Sequence, residues 1–250
     1  MENYATITES YSLPSRGLVY SPKINPTGLV RGMTVADEMR RLSPSERQYQ
    51  NMASIIDDCI LEDIGMSSYD MCIADYQYLL QRVLVATYGP EYKFEVRCPF
   101  CGETYVKELN MDELGITQFD PDKPVEDEFT LPRTGKRIKL RMQTPRLLDD
   151  MIERSNAIKA KTDGTINQSL MLAVTGLVEL VDGRPMNAVA LEAFARKLPL
   201  MDANYLLNKA GKIEDSFGLN LNVECDCPHC KLHSVAPFRI SSVFFRPKVD

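Results

Sequence analysis

The chain has 250 residues, 44 % of them hydrophobic and 26 % charged, and a formal net charge of −6. No apolar run is long enough to cross a bilayer, which points to a soluble protein with a packed core, and the acidic balance argues against a nucleic-acid role, which needs a basic face. No secretory leader opens the chain and its seven cysteines leave one unpaired, so a reducing compartment and free thiols are expected rather than disulfides.

Residues 1–30 read as an extended interaction arm. Pro14, Pro22, Pro26, Gly17 and Gly28 break any helix, while Leu13, Leu18, Val19 and Tyr20 keep the segment apolar enough to lie on a surface. Residues 31–90 read as a helical region. Thr34 to Asp37 has capping-box spacing with Asp in place of Glu or Gln. Ser43-Pro44-Ser45-Glu46 predicts the start of a second helix, with Tyr49, Met52, Ile55, Ile56, Cys59 and Ile60 on one face. Cys59 belongs to that buried stripe. A further helix is expected from Ile73 to Tyr88, stopped by Gly89-Pro90, with Cys72 an ordinary thiol at its start.

Residues 91–114 read as a hairpin around Cys98-Pro99-Phe100-Cys101-Gly102, with strands at 92–97 and 104–109. Residues 115–216 hold an acidic loop or linker to Glu128, a hairpin with Gly135 in its turn, and a mainly helical insertion. Its helices are expected from Thr144-Pro145 to Lys161, around Leu170 to Leu177, and near 187–197 and 200–213, with a turn at Asp182-Gly183. Residues 217–240 form a second hairpin, entered by a strand from Phe217 to Glu224, around Cys225-Asp226-Cys227-Pro228-His229-Cys230. The tail, 241–250, carries Phe244 and Phe245 and is expected to dock on a surface. The strand alternation of Arg137, Lys139 and Arg141, beside Arg133 and Lys136, reads as a solvated face.

The two C-P-x-C knuckles carry the strongest chemical signal. Two residues between paired cysteines let both thiolates wrap one side of a metal, and four thiolates complete a structural zinc shell. The expected ligands are Cys98, Cys101, Cys227 and Cys230 around a structural Zn²⁺, with Cys225 or His229 as possible substitutes. A thioredoxin-like redox pair would stand at a strand-to-helix junction, but Cys101 is followed by strand-like residues. Asp75-Tyr76-Gln77-Tyr78-Leu79-Leu80 and Asp202-Ala203-Asn204-Tyr205-Leu206-Leu207 precede the two knuckles at nearly the same distance. If that echo is a true pseudo-symmetry, both helices should pack equivalently on the metal module. The fold class expected is α+β: a zinc-ribbon-like module of two knuckle hairpins with a large helical insertion and an N-terminal arm plus helices.

The chain has two histidines and no tryptophan, and lacks nucleophile-elbow, P-loop, H-E-x-x-H and dinucleotide motifs. Four thiolates leave no open position on a metal, and the acidic pairs Asp57-Asp58 and Asp149-Asp150 read as solvated surface. No enzyme activity is expected.

Leu13-Pro14-Ser15-Arg16-Gly17, Tyr20, Arg31-Gly32-Met33-Thr34 with Asp37-Glu38, Cys59-Ile60, Asp75, Leu79-Leu80, Tyr88-Gly89 with Tyr92, and the first knuckle occur in an order that resembles one family. It is the baseplate hub subunit and assembly protein family of T-even-like contractile-tailed phages. The resemblance implies a structural component of the tail baseplate, in hub or wedge, contacting other baseplate and tail-tube proteins and oligomeric within that assembly. It implies location in the virion after assembly in the host cytoplasm. Two other readings stay open: an assembly chaperone absent from the finished particle, and a zinc-ribbon nucleic-acid factor.

Overall fold

The computed structural model describes residues 7–123, 125–162 and 167–238. Seven helices and small antiparallel sheets among the described residues make an α+β protein. The docking expected for Phe244 and Phe245, and the helix break at Asp163-Gly164, lie outside the described residues.

The N-terminal arm is a hairpin of β1 (Thr8–Ser12) and β2 (Thr27–Arg31), with Val30 facing Glu9. It is not solvated: Leu13 and Val30 are fully buried and Tyr11 nearly so. α1 (Val35–Leu42) opens with the predicted capping box. Thr34 Oγ1 accepts the Asp37 N–H, and the Asp37 carboxylate accepts the Thr34 N–H at 2.8 Å. Arg31 and Arg40 close on that carboxylate at 2.7 and 2.8 Å.

α2 (Gln48–Cys59) begins later than Ser43-Pro44 predicts. Ser43 instead ends α1, and no local side chain caps α2. The cap comes from far along the chain: Asp149 accepts the N–H groups of Tyr49 and Gln50 at 3.2 and 2.9 Å. Asp149 is therefore not solvated surface but 1 % exposed, with the Tyr69 hydroxyl donating to it as well. α3 (Ile73–Tyr88) runs between its predicted limits, and Gly89 ends it at φ +84°. Ile55, Ile56, Leu79 and Leu84 are nearly or fully buried in the first core, each worth about 1.5–3 kcal/mol by removal from water.

β3 (Glu91–Arg97) pairs with β4 (Thr104–Asn110) to form the first knuckle hairpin. The acidic segment that follows is pinned at several points. Ile116–Thr117 forms β5, and the Phe119 N–H donates to the Pro14 carbonyl at 2.8 Å. β6 (Glu128–Thr130), β7 (Arg137–Leu140), β8 (Val178–Val181) and β9 (Arg184–Pro185) then make one four-stranded antiparallel sheet in chain order. α4 (Pro145–Thr162) and α5 (Ser169–Leu177) lie between β7 and β8. α6 (Ala188–Lys197) and α7 (Leu200–Glu214) follow β9. Leu131, Ile138, Leu140, Val174, Leu177 and Leu206 fill a second core there.

The strand predicted from Phe217 to Glu224 is broken in two. β10 (Gly218–Leu219) pairs with β5, whereas β11 (Asn222–Asp226) pairs with β12 (His233–Pro237) in the second knuckle hairpin. Two different partners require the chain to turn between them. Gly218 has φ +120°, and a Cβ there would stand 3.0 Å from Ala74 Cβ. Val96, Val223 and Phe238 of the knuckle hairpins join the first core beside α3, while α7 lies in the second core without them. The expected equivalence of the two helices against the metal module therefore fails.

Candidate metal centre

The two hairpins carry their knuckles on matching backbone. The Cys98 N–H donates to the Glu103 carbonyl at 2.9 Å, and the Gly102 N–H returns to the Cys98 carbonyl at 3.0 Å. The Cys227 N–H donates to the Leu232 carbonyl at 3.1 Å, and the Lys231 N–H returns to the Cys227 carbonyl at 2.9 Å. Each loop closes on a residue in the left-handed region, Gly102 at φ +79° and Lys231 at φ +61°. Glycine takes that conformation freely; at Lys231 the knuckle hydrogen bonds hold it.

These turns aim four thiols at one point. The sulfurs of Cys98, Cys101, Cys227 and Cys230 all lie within 4.8 Å of one another. Cys98 Sγ is 3.7 Å from Cys230 Sγ, and Cys101 Sγ is 3.7 Å from Cys227 Sγ. A tetrahedron of sulfurs about 2.3 Å from a zinc has edges of about 3.8 Å. A disulfide would need about 2.05 Å. The donor set and its spacing thus fit a tetrahedral thiophilic cation, with both short edges crossing from one hairpin to the other.

The acid–base chemistry agrees. The backbone N–H groups of Cys101 and Phe100 point at Cys98 Sγ and bring its pKa down to about 6. Cys101 is also favoured as a thiolate by the Glu103 N–H, yet desolvation and the neighbouring cysteines push it up to about 12. Four sulfurs this close cannot all ionise on their own; a bound cation removes that conflict.

The substitutes weighed from sequence are elsewhere. Cys225 is fully buried in the first core and directs its thiol to the Val223 carbonyl. His229 is exposed on the second knuckle, outside the four-sulfur group. His233 faces the Asp226 carboxylate at 3.0 Å across the strand pair. Cys59 is fully buried, and burial pushes its thiol up to about 11. Burial likewise raises Cys72, which meets the Tyr20 hydroxyl at 3.1 Å. Neither belongs to the four-sulfur group.

The cations of the basic strand pair with neighbouring carboxylates or a backbone carbonyl. Lys136 pairs with Asp182, Arg137 with Glu128 and Lys139 with Glu179, at 2.6, 3.1 and 3.1 Å. Arg141 donates to the Val178 carbonyl at 2.8 Å.

Sequence reasoning missed two buried carboxylates that hold hairpin turns. Asp75 accepts the N–H and hydroxyl of Ser15 and, at 2.6 Å, the hydroxyl of Tyr20. Asp202 accepts the N–H groups of Arg133 and Thr134 at 2.8 and 2.9 Å and the Thr134 hydroxyl at 2.8 Å. Both aspartates are fully buried, and the sequence signal they shared was their place in the Asp-x-x-Tyr-Leu-Leu echo.

The model of one protein family, described as T4 bacteriophage base plate protein, matches residues 21–245. No curated protein and no solved structure matches the chain.

Proposed function

The chain belongs to the T4 bacteriophage base plate protein family, and from that premise we propose that it serves in the central hub of a contractile-tail baseplate, where it joins other baseplate and tail-tube proteins. It is a structural component of the baseplate, and hence of the virion tail. The match across residues 21–245, which takes in both knuckles and everything between them, carries the baseplate part of this reading, and the hub position follows from the resemblance of the N-terminal motifs and first knuckle to the hub family.

The physical features support a protein-interaction role. No helix among the described residues is long and apolar enough to cross a membrane. The four-cysteine cluster is the chemical feature that stands out, and as a closed shell it offers no open position for a reacting water. Cys98, Cys101, Cys227 and Cys230 hold a structural Zn²⁺ in this reading. The metal supplies a cross-link between chain-distant hairpins, so that residues 115–216 are gripped at both ends. Metal binding and folding are then coupled, as in other small thiolate sites.

Quantitative peptide mass spectrometry on gradient-purified particles, beside the crude infected lysate, tests the role. The expected result is recovery in particles at fixed stoichiometry with other baseplate proteins. Recovery in the lysate but not in particles would replace the hub reading with that of an assembly chaperone.

A further inference from the structure

Each half of the chain runs through the same series of parts. Leu13-Pro14-Ser15-Arg16-Gly17 follows β1, and Leu131-Pro132-Arg133-Thr134-Gly135 follows β6. The third residue of each turn gives its N–H to the third residue of a later helix: Ser15 to Asp75 of α3, and Arg133 to Asp202 of α7. Thr34 and Thr144 each accept an N–H three residues on, from Asp37 and Leu147. From Tyr88-Gly89 to Cys101 and from Phe217-Gly218 to Cys230 the spacing is constant, glycines and cysteines falling in register. The knuckle hydrogen bonds correspond one for one. The chain is thus two copies of one unit.

At the metal centre the two copies meet reciprocally. Cys98 and Cys227 are counterparts, as are Cys101 and Cys230, and the edges Cys98–Cys230 and Cys101–Cys227 are both 3.7 Å. Behind the sulfurs, Phe238 of the second hairpin packs on Tyr92 and Phe94 of the first, with ring centroids 5.8 and 5.1 Å apart. Their counterparts, Leu109, Leu221 and Val223, belong to the same core.

Beyond the first hairpin the chain crosses to the second unit. The Gly115 carbonyl accepts the Asn220 N–H at 2.7 Å, and Ile116 and Thr117 pair with Leu219 and Gly218. On the way Met111 and Leu114 enter the first core, 3 % and 8 % exposed. Because Leu109 is the counterpart of Phe238, residues 110–117 correspond to 239–246, which follow the last described residue. The apolar positions recur there: Met111, Leu114 and Ile116 answer to Ile240, Val243 and Phe245.

The strand edge that this segment would meet is already built. Gly89, Pro90 and Glu91 are the counterparts of Gly218, Leu219 and Asn220. The Met111 N–H donates to the Pro90 carbonyl at 2.8 Å, so Pro90 faces β4. Antiparallel pairs alternate, and Glu91 therefore turns its N–H and carbonyl to the opposite edge. Asn220 does the same, since the Phe238 N–H donates to its neighbour, the Leu221 carbonyl, at 2.6 Å. Pro90 lacks only an N–H that the outer edge does not use. Gly115 has a side-chain-bearing counterpart in Phe244, and the place admits one: a Cβ on Gly115 would stand at an ordinary 3.6 Å from Asn220 Cβ.

We propose that residues 240–246 cross back to the first unit and pair antiparallel with Gly89–Glu91, Phe245 opposite Pro90 and the Glu91 N–H donating to the Phe244 carbonyl. This is the return half of the clasp that β5 and β10 make in the other direction. Leu109 to Thr117 and Phe238 to Arg246 are equal steps along the chain, so its length suffices. Ile240 and Val243 hold the strap by removal from water, as Met111 and Leu114 hold theirs. The proposal does not depend on the baseplate role.

Amide hydrogen exchange of the full-length protein, read residue by residue by NMR, is the test. The Glu91 amide is expected to exchange at least about tenfold more slowly than in an unstructured peptide. That protection should be lost in a chain ending at Phe238 and in Val243→Asp, while the Asn220 amide, held by Gly115, stays protected in all three. Zinc content and circular dichroism check that the variants fold, and Val243→Asp decides alone if the shortened chain does not. Fast exchange at Glu91 in the wild type would overturn the proposal, and so would protection that survives loss of the tail or the Val243→Asp change.

Discussion

Cys98→Ser and Cys227→Ser are expected to purify with less than one tightly bound zinc per chain and to lose more than about 4 kcal/mol of stability, the range in which loss of a structural metal falls. The two residues sit on different hairpins, and each takes part in one of the 3.7 Å edges that cross between them. Removing either leaves three thiolates and one weaker oxygen donor, so the effect should be similar from both sides. Cys59→Ala and Cys225→Ser are the controls. Both thiols are fully buried, so each variant loses some stability, but neither is in the four-sulfur group and zinc content should stay at the wild-type level. Elemental analysis with chemical denaturation checks all four. Equal zinc in wild type and both knuckle variants would remove the site assignment.

Asp75→Ala and Asp202→Ala should each cost at least about 3 kcal/mol, from the same mechanism at two places. Asp75→Ala orphans the Ser15 N–H and hydroxyl and the Tyr20 hydroxyl. Asp202→Ala orphans the Arg133 and Thr134 N–H groups and the Thr134 hydroxyl. A buried donor without a partner costs about 1–3 kcal/mol. Burial foremost raises the pKa of Asp75, against the hydrogen bonds from Ser15 and Tyr20 that favour its charge. Asp75→Asn should accordingly cost less than Asp75→Ala, since its carbonyl still accepts. Limited proteolysis separates the two latches: Asp75→Ala should expose the chain between β1 and β2, and Asp202→Ala should leave that segment protected. Identical cleavage in both variants would show that the aspartates do not act locally.

Local chemistry was legible in the sequence. The capping box at Thr34, the stop at Gly89 and the knuckles depend on residues a few positions apart, and their partners stand in the same stretch. The four metal candidates could be named because C-P-x-C fixes the direction of both thiols whatever surrounds it. What depended on distant partners was not legible. The start of α2 follows from Asp149 in α4, so Ser43-Pro44 gave a false start and Asp149 a false surface reading. The break between β10 and β11 follows from their pairing with different strands, which no alternation pattern in one segment reveals. The apolar N-terminal arm was readable as a packed segment, but its anchor, Asp75, emerged only from the fold. The echo around Asp75 and Asp202 pointed to a real equivalence for the wrong reason: the two helices correspond through the hairpin turns they hold.

X-ray absorption at the zinc edge of the full-length protein tests the central claim most directly, that a closed metal site staples the two hairpins of this baseplate protein. The result expected is a shell of four sulfurs at about 2.3 Å, present at one zinc per chain and lost on unfolding. A shell containing nitrogen or oxygen donors, or folded protein that holds no zinc, would contradict it.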